Sequence, residues 1–268
     1  MPFGLHGDLI LPSASCKQCA AITSDAERFV LRDMLGLMRT KYGFRSQNRN
    51  TKRNPPKPLI LKHEHDGRKT PITLDPPRSP FFSWSLPLWG FPGMAWHEAY
   101  EVVCANDTLY CVVGQLDAQA ALDAAGGKHV VSLPEAKFSN ATFARFLAKV
   151  AHSFAVAALG ADGFHPVLPN FIRNGGDKPR IFVGGELEIP PAQPYAYEID
   201  LGTMQSANGS RYLAVRMRLL SYLGTPVYTV IVGDRFEGDL ASVGHGYAKP
   251  IQVAIMGDDG VPIFSAGQ

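Results

Sequence analysis

The sequence predicts an α+β fold with a central helix and antiparallel strands around it, and three observations carry that prediction. A long amphipathic helix spans 140–159, strand-like segments dominate 181–233, and a weaker helical periodicity occupies the start of the chain. The 268 residues are 46% hydrophobic and 19% charged, which gives room for one large domain or a domain with an appendage. No apolar run reads as a bilayer span, since Phe154–Leu159 and Val227–Val232 are both broken by Gly or charge. The N-terminus lacks the basic-then-apolar order of a secretory signal. Four Cys are too few for a disulfide scaffold, so a reducing compartment, the cytoplasm, is expected.

In chain order, Asp8–Leu11 reads as a short strand ended by Pro12. Helical periodicity begins at Cys16 or Lys17. Ser24-Asp25-Ala26-Glu27 reads as a capping box, and Phe29, Val30, Met34, Leu37 and Met38 form an apolar stripe that Gly43 would end. One helix or two would fit 17–41. A hairpin around Asp66-Gly67 is expected from Leu59-Ile60-Leu61 and Ile72-Thr73-Leu74. Residues 76–97, rich in Pro and holding Trp84, Trp89 and Trp96, read as irregular. A second hairpin is expected between 101–104 and 109–113, turning at Asn106-Asp107 and setting Cys111 opposite Val102.

The strongest helix follows. Ser139 or Asn140 caps it, Phe143, Phe146, Leu147, Val150, Phe154 and Ala158 recur at spacings of three and four, and Gly160 stops it. Arg145, Lys149 and His152 share another face, read as a solvated stripe and only secondarily as a phosphate-contact face. Strands are then expected over 181–189, 195–201, 211–223 and 227–233, the last two joined by Gly224-Thr225-Pro226.

The net charge of +2 conceals an asymmetry. Ten Lys or Arg between Arg39 and Lys69 face two acids, so that segment carries +8 and the rest of the chain −6. Such a block suits a phosphate backbone, with Arg39, Lys41, Arg45, Arg49, Lys52 and Arg53 as candidate nucleic-acid contacts. A solvated connector has the same composition. With Pro55, Pro56 and Pro58, residues 42–58 read as a linker between a small unit at 1–41 and an α+β domain at 59–268.

Cys16-Lys17-Gln18-Cys19 is the one motif with a chemistry of its own. Two thiolates on a turn into a helix can reach one tetrahedral zinc ion, but they make only half of a structural site. Cys104 and Cys111 lack the spacing of the other half and read as buried strand residues. A thiol pair without metal is the alternative.

The surrounding residues, PFGLHGDLILPSASCKQC, resemble the second half of the ββα-metal motif of bacterial HNH endonucleases. Pro2 matches the Pro of the family's first strand, Gly4 and Gly7 its loop, Asp8–Leu11 its second strand, and Cys16 and Cys19 its C-x-x-C. Segments 143–172 and 215–233 are similar to the downstream region of the same group. The resemblance implies an HNH-type endonuclease acting on DNA phosphodiesters. In that family a first-strand His acts as general base on water and a Mg²⁺-type ion polarises the scissile phosphate. The resemblance places that His, its neighbouring acid and the first C-x-x-C upstream of Met1, so a truncated motif without catalysis is expected. Ala20 stands where the family often has Asn, and His6 reads as a surface residue. The implied cofactors are structural zinc at Cys16 and Cys19, and Mg²⁺ for the complete motif only; the implied partner is DNA, bound weakly and without sequence preference. A non-catalytic nucleic-acid-binding or interaction module is the alternative.

Other constellations carry less. His63 and His65 alternate along an expected strand in charged surroundings, and His97-Glu98 is an isolated pair. Gly175-Gly176 and Gly184-Gly185 lack the setting of a phosphate loop, and no catalytic triad is legible.

Overall fold

Ser139 opens the longest helix by accepting the Thr142 N–H on its hydroxyl at 3.2 Å, and Gly160, at φ 81°, closes it by donating to Val156. Between them runs α3 (Asn140–Leu159), with eight of its twenty residues buried, including Phe143, Phe146, Leu147, Val150 and Ala151. Phe154, expected inside, is half-buried. In the computed structural model the described residues are 5, 7–11, 15–41, 44, 59–65, 68–74, 83–93, 108–113, 129–132, 137–206, 209–234, 236–238, 240, 246–250, 253–256 and 262–264.

The chain is α+β. Before α3 come α1 (Lys17–Arg28), a π-helical turn (Phe29–Met34) and α2 (Gly36–Lys41), followed by β1 (Leu59–His65), β2 (Arg68–Leu74), β3 (Ser83–Leu88), β4 (Thr108–Val113) and β5 (His129–Ser132). After it come β6 (His165–Pro166), α4 (Pro169–Asn174), β7 (Val183–Gly185), β8 (Tyr195–Gln205), β9 (Arg211–Leu219), β10 (Val227–Asp234), β11 (Gly246–Pro250), β12 (Val253–Met256) and β13 (Pro262–Phe264).

The main sheet is antiparallel in the order β11-β8-β9-β10-β6, with β7 also pairing β10. Strand alternation sends Tyr197, Ile199 and Leu201, then Val215, Met217 and Leu219, then Tyr228, Val230 and Val232 into the core with α3. Trp89, Phe143, Phe146 and Tyr228 form its aromatic centre, with ring centroids 5.3–6.2 Å apart, and the Tyr228 hydroxyl donates to Pro87 O at 2.9 Å. The buried Arg180 lies 4.8 Å from the Trp89 ring centroid and donates to the carbonyls of Val183 and Gly90. Gly184 permits this approach, since a Cβ there would fall 2.3 Å from Pro92 N.

By length and composition α3 would suit a bilayer, which the sequence reading missed; in the fold it is the core helix. The early helices enter the same core through Val30, Met34, Leu35 and Met38.

Several expectations are corrected. Residues 7–11 form no strand; Asp8 is exposed and bonds by side chain to the main sheet. The expected capping box lies inside α1, where the Ser24 hydroxyl donates to Ala21 O, because Cys16 already caps the helix about two turns earlier. Within 76–97 the chain forms β3, which pairs with β4 and sets Ser85 opposite Cys111. The 211–223 strand ends at Leu219, where Leu220 turns left-handed at φ 58° into a 3-10 turn. The 181–189 strand shrinks to Val183–Gly185. The 59–74 hairpin forms as expected, Leu59 opposite Leu74 and His65 opposite Arg68. Gly43 and the 101–104 segment lie outside the described residues.

Candidate thiol site

Cys16 is the N-cap of α1. Its backbone is extended, at φ −67° and ψ 163°, while its carbonyl already accepts the Ala20 N–H at 2.9 Å. Its Sγ takes the place of the usual capping oxygen and accepts the Cys19 N–H at 3.3 Å. One turn on, Cys19 is half-buried, and its carbonyl accepts the Thr23 hydroxyl at 3.0 Å. Both thiols are free, and Cys16 is exposed.

The two sulfurs differ electrostatically. The Cys19 N–H, then the Cys19 thiol, hold the Cys16 thiol below its ordinary range, helped by the Gln18 N–H and the positive charge of Arg173. The same contact raises Cys19, whose thiol proton is held against the Cys16 sulfur, and burial adds to it.

Arg173 comes from α4, and no local signal marks it as a neighbour of a motif 157 residues earlier. Arg145 positions it by donating to Ile172 O at 2.7 Å and Arg173 O at 2.5 Å. Lys149 reaches α1, its Nζ 2.6 Å from Glu27 Oε1. His152 is half-buried edge-on to Phe164, its Nδ1 is buried without a partner among the described residues, and burial holds its pKa below the ordinary value. The expected solvated stripe is therefore the seam joining α3 to α1 and α4. The three residues do share one face, and two further helices, which periodicity alone does not reveal, cover it.

Asp8 ties the segment before the thiols to the sheet. Its carboxylate accepts the Tyr197 hydroxyl at 2.5 Å, Lys249 Nζ at 2.9 Å and the Tyr247 hydroxyl at 3.1 Å. Burial opposes its charge, but these donors hold the carboxyl below its ordinary value.

Of the candidate nucleic-acid contacts, Arg39 is half-buried and donates to Leu31 O at 2.7 Å, so its guanidinium is partly committed to the fold. Lys41 ends α2, and Arg45, Arg49, Lys52 and Arg53 lie outside the described residues, as do His6 and His97. His63 and His65 occupy alternate positions of β1. Among the described residues, no group of three His, Cys, Asp or Glu side chains could hold a metal ion. Cys16 and Cys19 thus present two soft donors on one turn, which suits half of a tetrahedral zinc set.

Comparison with known protein families, curated proteins and solved structures finds no match to this chain.

Proposed function

We propose that the chain is an HNH-type, nucleic-acid-directed protein, with Cys16 and Cys19 as zinc ligands and the basic segment from Arg39 to Lys69 as its contact with phosphates. The observation that carries this reading is the thiol pair at the N-cap of α1, where the resemblance expects the C-x-x-C to open the motif helix. The free thiols suit a cytoplasmic setting. Zinc bound here would fix the start of α1 and turn two thiols into thiolates; the basic segment would supply affinity by releasing counterions.

One observation favours a non-catalytic binding module over a nuclease. The segment matched to the family's second strand is held by Asp8 against Tyr197, Tyr247 and Lys249 of the main sheet rather than in a ββα hairpin. The residues that carry the resemblance do not include the first-strand His that the family uses as general base. Mg²⁺ would be needed only by a complete motif.

The test joins metal analysis to DNA retention across a salt series. Zinc that Cys16→Ser abolishes is expected, held weakly because two thiolates fill only half of its coordination, with DNA affinity falling steeply as salt rises. If all six candidate cations contact phosphates, log K against log salt should slope by about −5. Salt-insensitive behaviour with no retention at low ionic strength would overturn the nucleic-acid reading. Plasmid nicking with Mg²⁺ or Mn²⁺ separates the two forms of the proposal: cutting marks a nuclease, retention without cutting a binding module.

A further inference from the structure

The thiol pair has a geometry suited to a second chemistry that needs no metal. Cys16 and Cys19 stand one helical turn apart, and the Cys16 sulfur lies 3.3 Å from the Cys19 backbone nitrogen. Residues this close can be bridged without moving the chain. The extended backbone of Cys16 lies outside the helix, so its side chain can turn toward Cys19 without unwinding α1. Cys19 is fixed from behind by the Thr23 hydroxyl on its carbonyl. The approach is asymmetric: Cys16, Lys17 and Gln18 are exposed, while Cys19 is half-buried. An incoming molecule meets Cys16 first.

We propose that Cys16 and Cys19 form a redox dithiol oxidised by low-molecular-weight disulfides of the glutathione type, Cys16 attacking and Cys19 resolving. The Cys16 thiolate attacks one sulfur of glutathione disulfide. The S–S bond breaks, and the first glutathione leaves as a thiolate that takes up the proton Cys16 lost to water. Cys19 then gives up its proton and attacks Cys16 Sγ, expelling the second glutathione, which is protonated in turn. Two protein thiols are oxidised and one glutathione disulfide is reduced to two thiols. Nearby, Arg173 supplies a cation suited to the carboxylates of such a peptide. This inference does not rest on the metal reading, since the disulfide uses the lone pairs that zinc would otherwise take.

The experiment treats chelator-washed, full-length protein with glutathione disulfide, then traps free thiols by alkylation and maps the peptides. The expected product is an intramolecular Cys16–Cys19 link, lighter than the dithiol by two hydrogens. Cys19→Ser should stop at a stable glutathione adduct on Cys16. In Cys16→Ser, whose hydroxyl keeps the cap, Cys19 should react roughly tenfold more slowly than Cys16 does in Cys19→Ser. A persistent adduct on Cys16 of the unmutated chain, a link to Cys104 or Cys111, equal rates in the two variants, or no reaction would each overturn the proposal. Repeating the titration after adding zinc tests the metal reading by itself, because a bound ion shields both sulfurs whether or not the metal-free pair cyclises.

Discussion

Helices α1 and α3 are both capped at the N-terminus by a side chain three residues before the N–H it accepts, yet they are held in opposite ways. In α3 a hydroxyl caps the helix, eight residues are buried, and a glycine ends it. In α1 a sulfur caps the helix, only Thr23 and Ala26 are buried among its twelve residues, and the backbone continues into a π-helical turn. Burial of apolar surface fixes α3, and its neighbours must fit around it. Contacts at its rim place α1: the Glu27–Lys149 pair and the core-facing residues of the turn that follows. The thiol pair sits on the helix with the smaller share of the core. A reactive pair needs access, and access is what a core helix lacks.

The largest effect should come from the buried side of this comparison. Phe146 is fully enclosed and stacks at 6.2 Å on Phe143. Truncating it to Ala should cost about 3–5 kcal/mol in denaturant titration. A loss under about 1 kcal/mol would mean that α3 is not the packing centre.

A smaller effect should follow from pH. Burial holds His152 below its ordinary value, so the folded protein binds its proton less readily than the unfolded chain. Stability should therefore fall as pH drops below the unfolded value of about 6.5, by at most roughly 1.4 kcal/mol per pH unit, until the folded group also titrates. Stability measured from pH 7 to 5 should slope less in His152→Gln than in the unmutated chain. An unchanged slope would assign the pH dependence to other groups.

The smallest effect belongs to α1. Glu27 and Lys149 are each about one-third exposed, so solvent weakens their pairing. Glu27→Gln should cost under about 1 kcal/mol globally. Hydrogen exchange should nevertheless show faster opening of α1 than of α3. Equal protection of the two helices in this variant would remove the contrast between them.

Much of the fold was legible because local signals and tertiary structure agree. Ser139 and Gly160 bound α3 as read, and the pairing of Leu59 with Leu74 follows the expected hairpin. Failures occur where a distant segment decides. Tyr228, Pro87 and Gly184 recruit 83–93 into the core, which turned an apparently irregular stretch into a strand. At the site, the C-x-x-C was visible as spacing, and its position at a helix start followed from it. Arg173 was not visible. Nothing in its own neighbourhood marks it; Arg145, clasping the last carbonyls of α4, and the burial of Phe171 and Ile172 bring it near the sulfurs. Asp8 was misread as a strand residue because its three donors lie 189 to 241 positions away.

Strand β10 has a further consequence, for solubility. Val227–Gly233 is buried throughout, rich in β-branched residues and without charge, the composition of a segment that templates stacking with other chains. Its outer edge is instead occupied by two short pieces of the same chain: β7 meets it at Tyr228–Val230 and β6 at Gly233–Asp234. Neither piece is long enough to offer a new edge of comparable reach, and β6 ends in Pro166, which has no N–H to donate. At the opposite margin β11 carries Lys249 and Pro250, which similarly discourage another strand from adding on. Folding thus retires the stickiest strand of the molecule. Variants that loosen 164–166 or 183–185 should be noticed first as turbidity on warming, before any change in the chemistry of the thiols.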